Sequence, residues 1–428
     1  MDSQNRRLFL KGLAGGFAAA AVVPPAKAIG SVPSRPSHTL RPPQGVLDEH
    51  YWQMVKEQFP LRHDLVIMNA ANLCPSPYPV INTVNALTGD VDSDASFQNR
   101  GKFTELRERA RDLLAEFLGA DSDEIAITRN TSEGNNSVIN GLTLGPGDEV
   151  VIWDQNHPTN NVAWDVRAER YGYVVHRVTT PAAPSTAEDL IRPFREVLSR
   201  NTRVLAFSHV SNISGVRLPA RQLCSLARER DILTLVDGAQ TFGAIRVDLH
   251  AVGCDFYTGS SHKWLMGPKE VGLLYVRQDR IADLWPSDVG VGWEGALERG
   301  ARKFENLGQR DDAAVAAMGT AVGFHNTIGP DRVEERVRAL AAGLKQALST
   351  AVPDIRFHTP ADPDLSAGVV VFSRTGADPR AAFERLYSEH TVAGAAMGGD
   401  FAGVRLSPHV YNTMEEVDRA ANAVAQLL

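Results

Sequence analysis

Only three cysteines occur in 428 residues, Cys74, Cys224 and Cys254, and no two of them are spaced as C-x-x-C. That count and spacing supply neither a disulfide framework nor a zinc-ligand pair. Three small buried hydrophobes are the expectation for them, and no metal site is expected. The chain also lacks a long basic run and any interleaving of aromatic and arginine residues. With charged residues at 22% and mixed in sign, nucleic acid is excluded as an expected partner. No apolar run reaches the roughly 20 residues of a bilayer-spanning helix, so no permanent membrane anchor is expected. No segment repeats. What remains is a globular composition, 43% hydrophobic with a net charge of −7. A chain of this length can bury a large core and form two domains or one elaborated domain.

The first residues read differently from the rest. Arg6-Arg7-Leu8-Phe9-Leu10-Lys11 precedes an apolar stretch from Gly12 to Val23, which ends near Ala26-Lys27-Ala28. A basic start, a short apolar middle and a small-residue A-x-A end read as a removable export signal over residues 1–28. The arginine pair with Phe-Leu-Lys resembles a twin-arginine (Tat) signal, although Asn5 stands where a serine or threonine is usual. That resemblance implies the Tat export machinery as a partner, cleavage near Ala28 and a periplasmic location.

Residues 29–64 begin with a stretch rich in proline and serine and read as an N-terminal arm packing on a small domain. From Glu105 onward, helical and strand-like stretches alternate. Leu106, Ala110, Leu113, Leu114 and Phe117 share one helical face. Strand-like runs follow at 125–128, 149–153, 174–178, 203–207, 232–236 and 271–276, with helical stretches such as 187–198 and 219–230 between them. This is the pattern of an α/β domain with a largely parallel sheet, here placed at 65–310, whose ligands sit at the carboxyl ends of the strands. Beyond Asp311 long amphipathic helices take over, with Val333, Val337, Leu340 and Leu344 on one face. A smaller α+β domain is therefore expected over 311–428.

The chemistry-bearing residues fall at strand ends. In "ITRNTSEGNN", Thr131 and Ser132 stand where a strand gives way to a helix expected near Glu133; free N–H groups and the helix dipole there suit a phosphate, while an ordinary serine N-cap reads equally well. In "LVDGAQTFG", Asp237 ends a strand and Gln240 follows three residues later. A carboxylate so placed can pair with a pyridinium nitrogen, or the Asp-Gly can be a plain turn. "FSHVSNISG" brings Ser208, His209 and Asn212 to another strand end, and "DQNHPTNN" brings His157 to a fourth. A histidine there can stack on a planar cofactor or simply be a satisfied loop residue. In "GSSHKWLMGPKEVGLLYV", Lys263 follows Ser260 and His262 and precedes Trp264, Leu265 and Met266. Burial beside them would favour the neutral, nucleophilic amine. The alternative is a solvated loop lysine like Lys269.

Taken in order, these motifs resemble the class V aminotransferase family of pyridoxal 5'-phosphate (PLP) enzymes, which includes cysteine desulfurases and isopenicillin N epimerase-like proteins. The resemblance implies the PLP-dependent transferase fold type I, with a mostly parallel seven-stranded sheet and a smaller C-terminal domain. It implies that Lys263 carries the cofactor as an aldimine, that Asp237 pairs with the pyridine nitrogen and that Gln240 contacts the phenolic oxygen. His157 would stack on the ring, and Asn212 would sit beside cofactor and substrate. Thr131, Ser132, Ser260 and His262 would hold the phosphate, and Arg405 in "GVRLSPHVYN" would grip a substrate carboxylate. Two departures stand out. Gln309 in "FENLGQRDD" replaces the threonine that reaches the neighbouring subunit's phosphate in epimerase-like relatives. The C-terminal loop "TVAGAAMGGDFAGVRLS" has no cysteine, which disfavours a desulfurase. "GVGWEG", residues 290–295, has no framing strand and reads as a substrate-side loop rather than a nucleotide site.

A Tat signal joined to this fold resembles the periplasmic PLP enzymes of pyoverdine maturation, which implies a small-molecule or peptidic siderophore substrate modified at its glutamate side chain. The alternatives are an aminotransferase or epimerase of a free amino acid or small peptide, and a non-catalytic binding protein of the same fold. The family resemblance also implies a homodimer.

Overall fold

Each apolar run between helical stretches becomes a strand. The computed structural model describes residues 45 and 47–428, so the leader and most of the arm lie outside the described residues. In chain order the strands are β1 (Val66–Ile67), β2 (Ile125–Thr128), β3 (Glu149–Trp153), β4 (Val174–Val178), β5 (Thr202–Ser208), β6 (Leu233–Asp237) and β7 (Phe256–Ser260). They continue with β8 (Gly272–Val276), β9 (Arg356–Phe357), β10 (Val370–Ser373), β11 (Val392–Ala393), β12 (Ala395–Met397) and β13 (Gly403–Leu406).

Seven strands form the main sheet in the order β2-β8-β7-β6-β5-β3-β4. Only β8 runs against its neighbours; the other pairings are parallel. Both faces are covered, as a mainly parallel sheet requires. Alternate residues serve opposite cores: Ile127, Val151, Leu205 and Tyr257 belong to one cluster, and Ala126, Val150, Val204 and Phe256 to the other. The expected seven-stranded α/β architecture is therefore present. Its strand β7 was not legible in the sequence, because Phe256–Ser260 ends in Thr-Gly-Ser and shows no apolar alternation.

A four-stranded antiparallel sheet, β12-β13-β10-β9, forms the second layer system. Helices Pro330–Ala351 and Met414–Ala425 pack with it through Leu340, Leu344, Val417 and Val424. The division between the two parts differs from the boundaries read at residues 65 and 311. β1 pairs in parallel with β11, and Val66 and Met68 lie in the same core as Val370 and Leu406. At the other boundary, helix Asp312–Ile328 buries Ala314, Val315, Met318 and Val322 in the large core. The physical reason is the same in both places: an apolar face goes where a complementary core exists, irrespective of the change in sequence pattern. Helix Glu49–Lys56 also contacts the smaller part, through ion pairs of Glu49 with Arg336 and of Lys56 with Glu416.

Candidate active site

The carboxyl ends of β2, β3, β6 and β7 share one edge of the sheet, and the segments that follow them converge on a cavity of about 260 Å³. Thr131, Ser132, His157, Asp237, Ser260, His262 and Lys263 line it together with Asn72, Asn135 and Asn160. Residues that the sequence scatters over more than a hundred positions are thus neighbours.

Lys263 lies in the loop from β7 to β8, and that loop is firmly fastened. Ser261 N–H and Ser261 Oγ both donate to Val271 O, at 2.9 and 2.7 Å, and Gly267 N–H donates to Ser261 O at 2.7 Å. Trp264, Leu265 and Met266 are fully buried, and Trp264 Nε1 donates to Gln240 Oε1 at 2.8 Å. With its successors locked into the core, Lys263 turns to the cavity. Burial brings its pKa down to about 8, opposed by the Asp237 charge and assisted by Arg405. A neutral amine is therefore accessible near physiological pH.

Asp237 ends β6 and is buried. Its Oδ2 accepts from Asn135 Nδ2 at 2.9 Å, and its Oδ1 accepts from the Ala239 N–H at 3.0 Å. Thr258 Oγ1 donates to Asn135 Oδ1 at 2.7 Å, which turns the amide nitrogen of Asn135 toward Asp237. No cation forms an ion pair with Asp237 among the described residues, so the carboxylate keeps acceptor capacity for a ligand. The turn after it needs glycine: a Cβ on Gly238 would stand 2.0 Å from Tyr257 Cζ.

The helix Thr131–Gly141 presents its amino end to the same space. Its N-cap is Asn130, whose Oδ1 accepts from the Glu133 N–H at 3.0 Å, so the helix starts before the position read from sequence and Ser132 is not the cap. Thr131 N–H donates to Ser260 Oγ at 2.8 Å, and the two hydroxyls are 2.7 Å apart. The Ser132 N–H has no acceptor among the described residues. Hydroxyls, a free amide and the helix dipole together make an anion cradle. Gly134 permits the close approach of this helix to β7, because a Cβ there would stand 2.9 Å from Thr258 Cγ2.

Two histidines complete the lining. His157 caps helix Pro158–Tyr171, its Nδ1 accepting from the Thr159 N–H at 3.3 Å. Burial, then the nearby Lys263, lowers its pKa. His262 is lowered to about 4 by burial, Lys263 and Lys269. Both rings are thus held neutral.

Arg405, on β13, is 5% exposed; neither it nor Asn212 lines the cavity, but its charge acts on Lys263 and His157. Its Nη1 donates to Asn212 O at 2.9 Å and its Nη2 to Asn69 Oδ1 at 3.2 Å, while Nε is buried without a partner. It has no carboxylate in ion-pair range among the described residues, and burial lowers its pKa to about 10. A buried guanidinium without a counter-charge is a strong donor site for a carboxylate. Asn212 thus meets Arg405 through its backbone.

Gln240 is engaged with the protein at both ends of its amide. Its Nε2 donates to Ala71 O at 2.9 Å and its Oε1 accepts from Trp264, so its amide braces the lysine loop, and it does not line the cavity. Gln309 is exposed in a separate cavity, accepting from Arg100 Nη2 at 2.7 Å. Residues 290–295 do not line the cavity either. Asn135 and Asn160 were missed in the sequence; the available signal was Asn135 one helical turn after Thr131 in "TSEGN". All three cysteines are free and buried. Burial pushes Cys74 and Cys224 up to about 12 and raises Cys254 as well, so none is a ready thiolate.

Comparison with known proteins agrees with this arrangement. The family described as Aminotransferase class-V matches residues 75–420. Isopenicillin N epimerase of Amycolatopsis lactamdurans is 32% identical over 394 residues, covering 88% of this chain and 98% of that protein. A probable cysteine desulfurase of Methanothermobacter thermautotrophicus is 29% identical, covering 87% and 97%. Among solved structures, the cysteine desulfurase of Thermococcus onnurineus superposes with a TM-score of 0.78 at 24% identity, over 87% of this chain and 97% of its own. The cystine C–S lyase C-DES bound to cysteine persulfide gives 0.79 at 24% identity, over 86% and 100%.

Proposed function

The chain belongs to the class V aminotransferase family, enzymes that use pyridoxal 5'-phosphate, and from that premise we propose that it is a periplasmic enzyme modifying the glutamate side chain of a pyoverdine siderophore precursor. The observation that carries the chemistry is the meeting, in one cavity, of a lysine lowered to about 8 with a buried, unpaired carboxylate. The donor set fits PLP. Lys263 is the amine for the aldehyde, Asp237 the acceptor for the ring N–H, and Thr131, Ser132, Ser260 and His262 the phosphate cradle, with His157 a flat neighbour for the ring.

When bound, PLP supplies an electron-withdrawing ring that stabilises negative charge at a substrate carbon. The protein supplies the rest. Asp237, held by Asn135 and Ala239, keeps a proton on the ring nitrogen by offering a fixed acceptor. Arg405 orients the substrate by its carboxylate, and its two hydrogen bonds to Asn212 and Asn69 fix the fork before substrate arrives. The Lys263 amine, lining the cavity, would be the base that takes or returns a proton at the substrate carbon next to nitrogen.

The periplasmic and siderophore parts of the proposal are supported by the leader sequence: a Tat signal suits an enzyme that acquires its cofactor before export. We also propose a homodimer. The 32% identity to an isopenicillin N epimerase supports a second reading, an epimerase or aminotransferase of a free amino acid or small peptide. A persulfide-forming desulfurase is disfavoured, because the three thiols are buried and raised and the loop from Val392 to Leu406 contains none.

Absorption spectra of the mature protein and of Lys263→Ala, before and after borohydride with mass mapping of the adduct, test the chemistry; a phosphopyridoxyl group on Lys263 is expected. Incubation with a pyoverdine precursor should change the mass of its glutamyl group. An unchanged precursor, together with spectral changes on adding simple amino acids, would favour the second reading.

A further inference from the structure

A second cavity, of about 510 Å³, shares no lining residue with the first. It lies behind Asp237, because His209, which lines it, donates its N–H to Asp237 O at 2.9 Å. Three kinds of donor meet there without a protein partner. His209 is 5% exposed, with no side-chain hydrogen bond; its Nδ1 is shut off, so Nε2 is the ring nitrogen left to face a ligand. The Arg217 guanidinium lines the cavity with no hydrogen bond and no ion pair among the described residues; Arg338, Glu334 and Asp364 are the charges that act on it from a distance. Helix Ala220–Arg228 begins at Pro219 with no side-chain cap, and the N–H groups of Arg221 and Gln222 have no acceptor, while Leu223 N–H donates to Pro219 O at 3.0 Å.

We propose that this cavity is a binding site for a small oxyanion, a phosphate or a carboxylate, held between the Arg217 guanidinium, the His209 ring and the first-turn amides of helix Ala220–Arg228. Each group has an unmet need that one anion satisfies. A guanidinium gains a counter-charge, the helix end gains an acceptor where its dipole is positive, and a neutral ring becomes a donor to the anion. Burial holds His209 neutral, lowered to about 3 with Arg217 contributing, so the imidazole is a hydrogen-bond donor rather than a cation. The cavity also carries Asp248, Asp362 and Asp364, all exposed. Asp248 accepts from the Ala251 N–H at 2.8 Å and Asp362 from the Asp364 N–H at 2.8 Å. Exposed acids are screened by salt but repel dense charge, so they select a small anion over a polyphosphate. Because His209 N–H donates to the backbone O of Asp237 at 2.9 Å, an anion held by His209 is one backbone hydrogen bond from the residue whose carboxylate faces the cofactor site.

The test uses cofactor-loaded enzyme reduced with borohydride, so that the Lys263 cavity is filled. It is titrated calorimetrically with inorganic phosphate in one arm and acetate in the other, and repeated on Arg217→Met and His209→Phe. At least one anion should bind the wild type one to one, with affinity lower by about tenfold or more in Arg217→Met, the scale of one lost charge-assisted contact. Phosphate binding that weakens in Arg217→Met identifies a phosphoryl ligand, and acetate binding that weakens in it a carboxylate, because acetate held by Arg405 would be unchanged in that variant. The cofactor spectrum and the melting temperature check that the variants fold, and His209→Phe carries the test if Arg217→Met does not. No binding to the wild type, or equal affinity in the folded variants, overturns the proposal.

Discussion

In cofactor-free protein Lys263 should titrate near 8 instead of the ordinary 10.5. That gap is worth about 3 kcal/mol and gives on the order of a few hundred times more free amine at neutral pH. About one molecule in ten would then carry the reactive amine at pH 7, against about one in three thousand for an unperturbed lysine. The assay is the rate of PLP capture by stripped enzyme from about pH 6 to 11, with Lys263→Arg as blank. The rate should rise with an inflection near 8. Because Asp237 is the charge that holds the ammonium in place against burial, Asp237→Asn should move the inflection lower. The linked stability effect has a definite sign. A base with a depressed folded pKa costs stability in full below 8, and the cost is relieved as pH rises from 8 to 10.5. An inflection near 10.5, or no shift in Asp237→Asn, would refute the account of burial working against a single carboxylate.

Other outcomes follow from the same geometry. Arg405→Lys keeps the charge but loses the fork, and should raise KM by about 10- to 100-fold with a smaller change in kcat, measured by steady-state kinetics on a carboxylate substrate. Arg111 is fully buried and pairs with Glu305, itself largely buried, and with the less buried Glu108. Arg111→Ala takes the cation from the buried Glu305 and should cost about 3–5 kcal/mol in urea unfolding, with a smaller loss expected when Glu305 is removed at the same time. Gly238→Ala forces a methyl against Tyr257 and should cost about 1–3 kcal/mol or more, read as a lower melting temperature and weaker cofactor retention.

Much of the large domain was legible because a strand buried on both faces leaves a dense apolar run; β3, β5, β6 and β8 all lie within a residue of where those runs stand. β7 was hidden by the small polar residues at its end, which the site itself requires: Ser260 is there to meet Thr131. The lysine loop could be read from its apolar successors, which do lie in the core. Partnerships between side chains could not. Nothing in the sequence says that Gln240 turns back to Trp264 while Asn135 supports Asp237, since both depend on which way a side chain leaves its strand or helix. Core membership was hidden for a related reason: pattern changes mark element type, whereas cores are assembled from distant pieces.

That last property has a consequence for synthesis. Val66 and Met68 share a core with Val392 and Leu406, and Asn69 waits for Arg405 across 336 positions of chain. On the ribosome, the cradle around Lys263 has all its strands once β8 has emerged, yet the substrate fork and the core beneath it need nearly the last residues to be made. Growth of the chain therefore imposes an order, cofactor pocket first and substrate grip last, and a nascent chain cut short of β13 would hold a pocket that cannot yet choose what enters it.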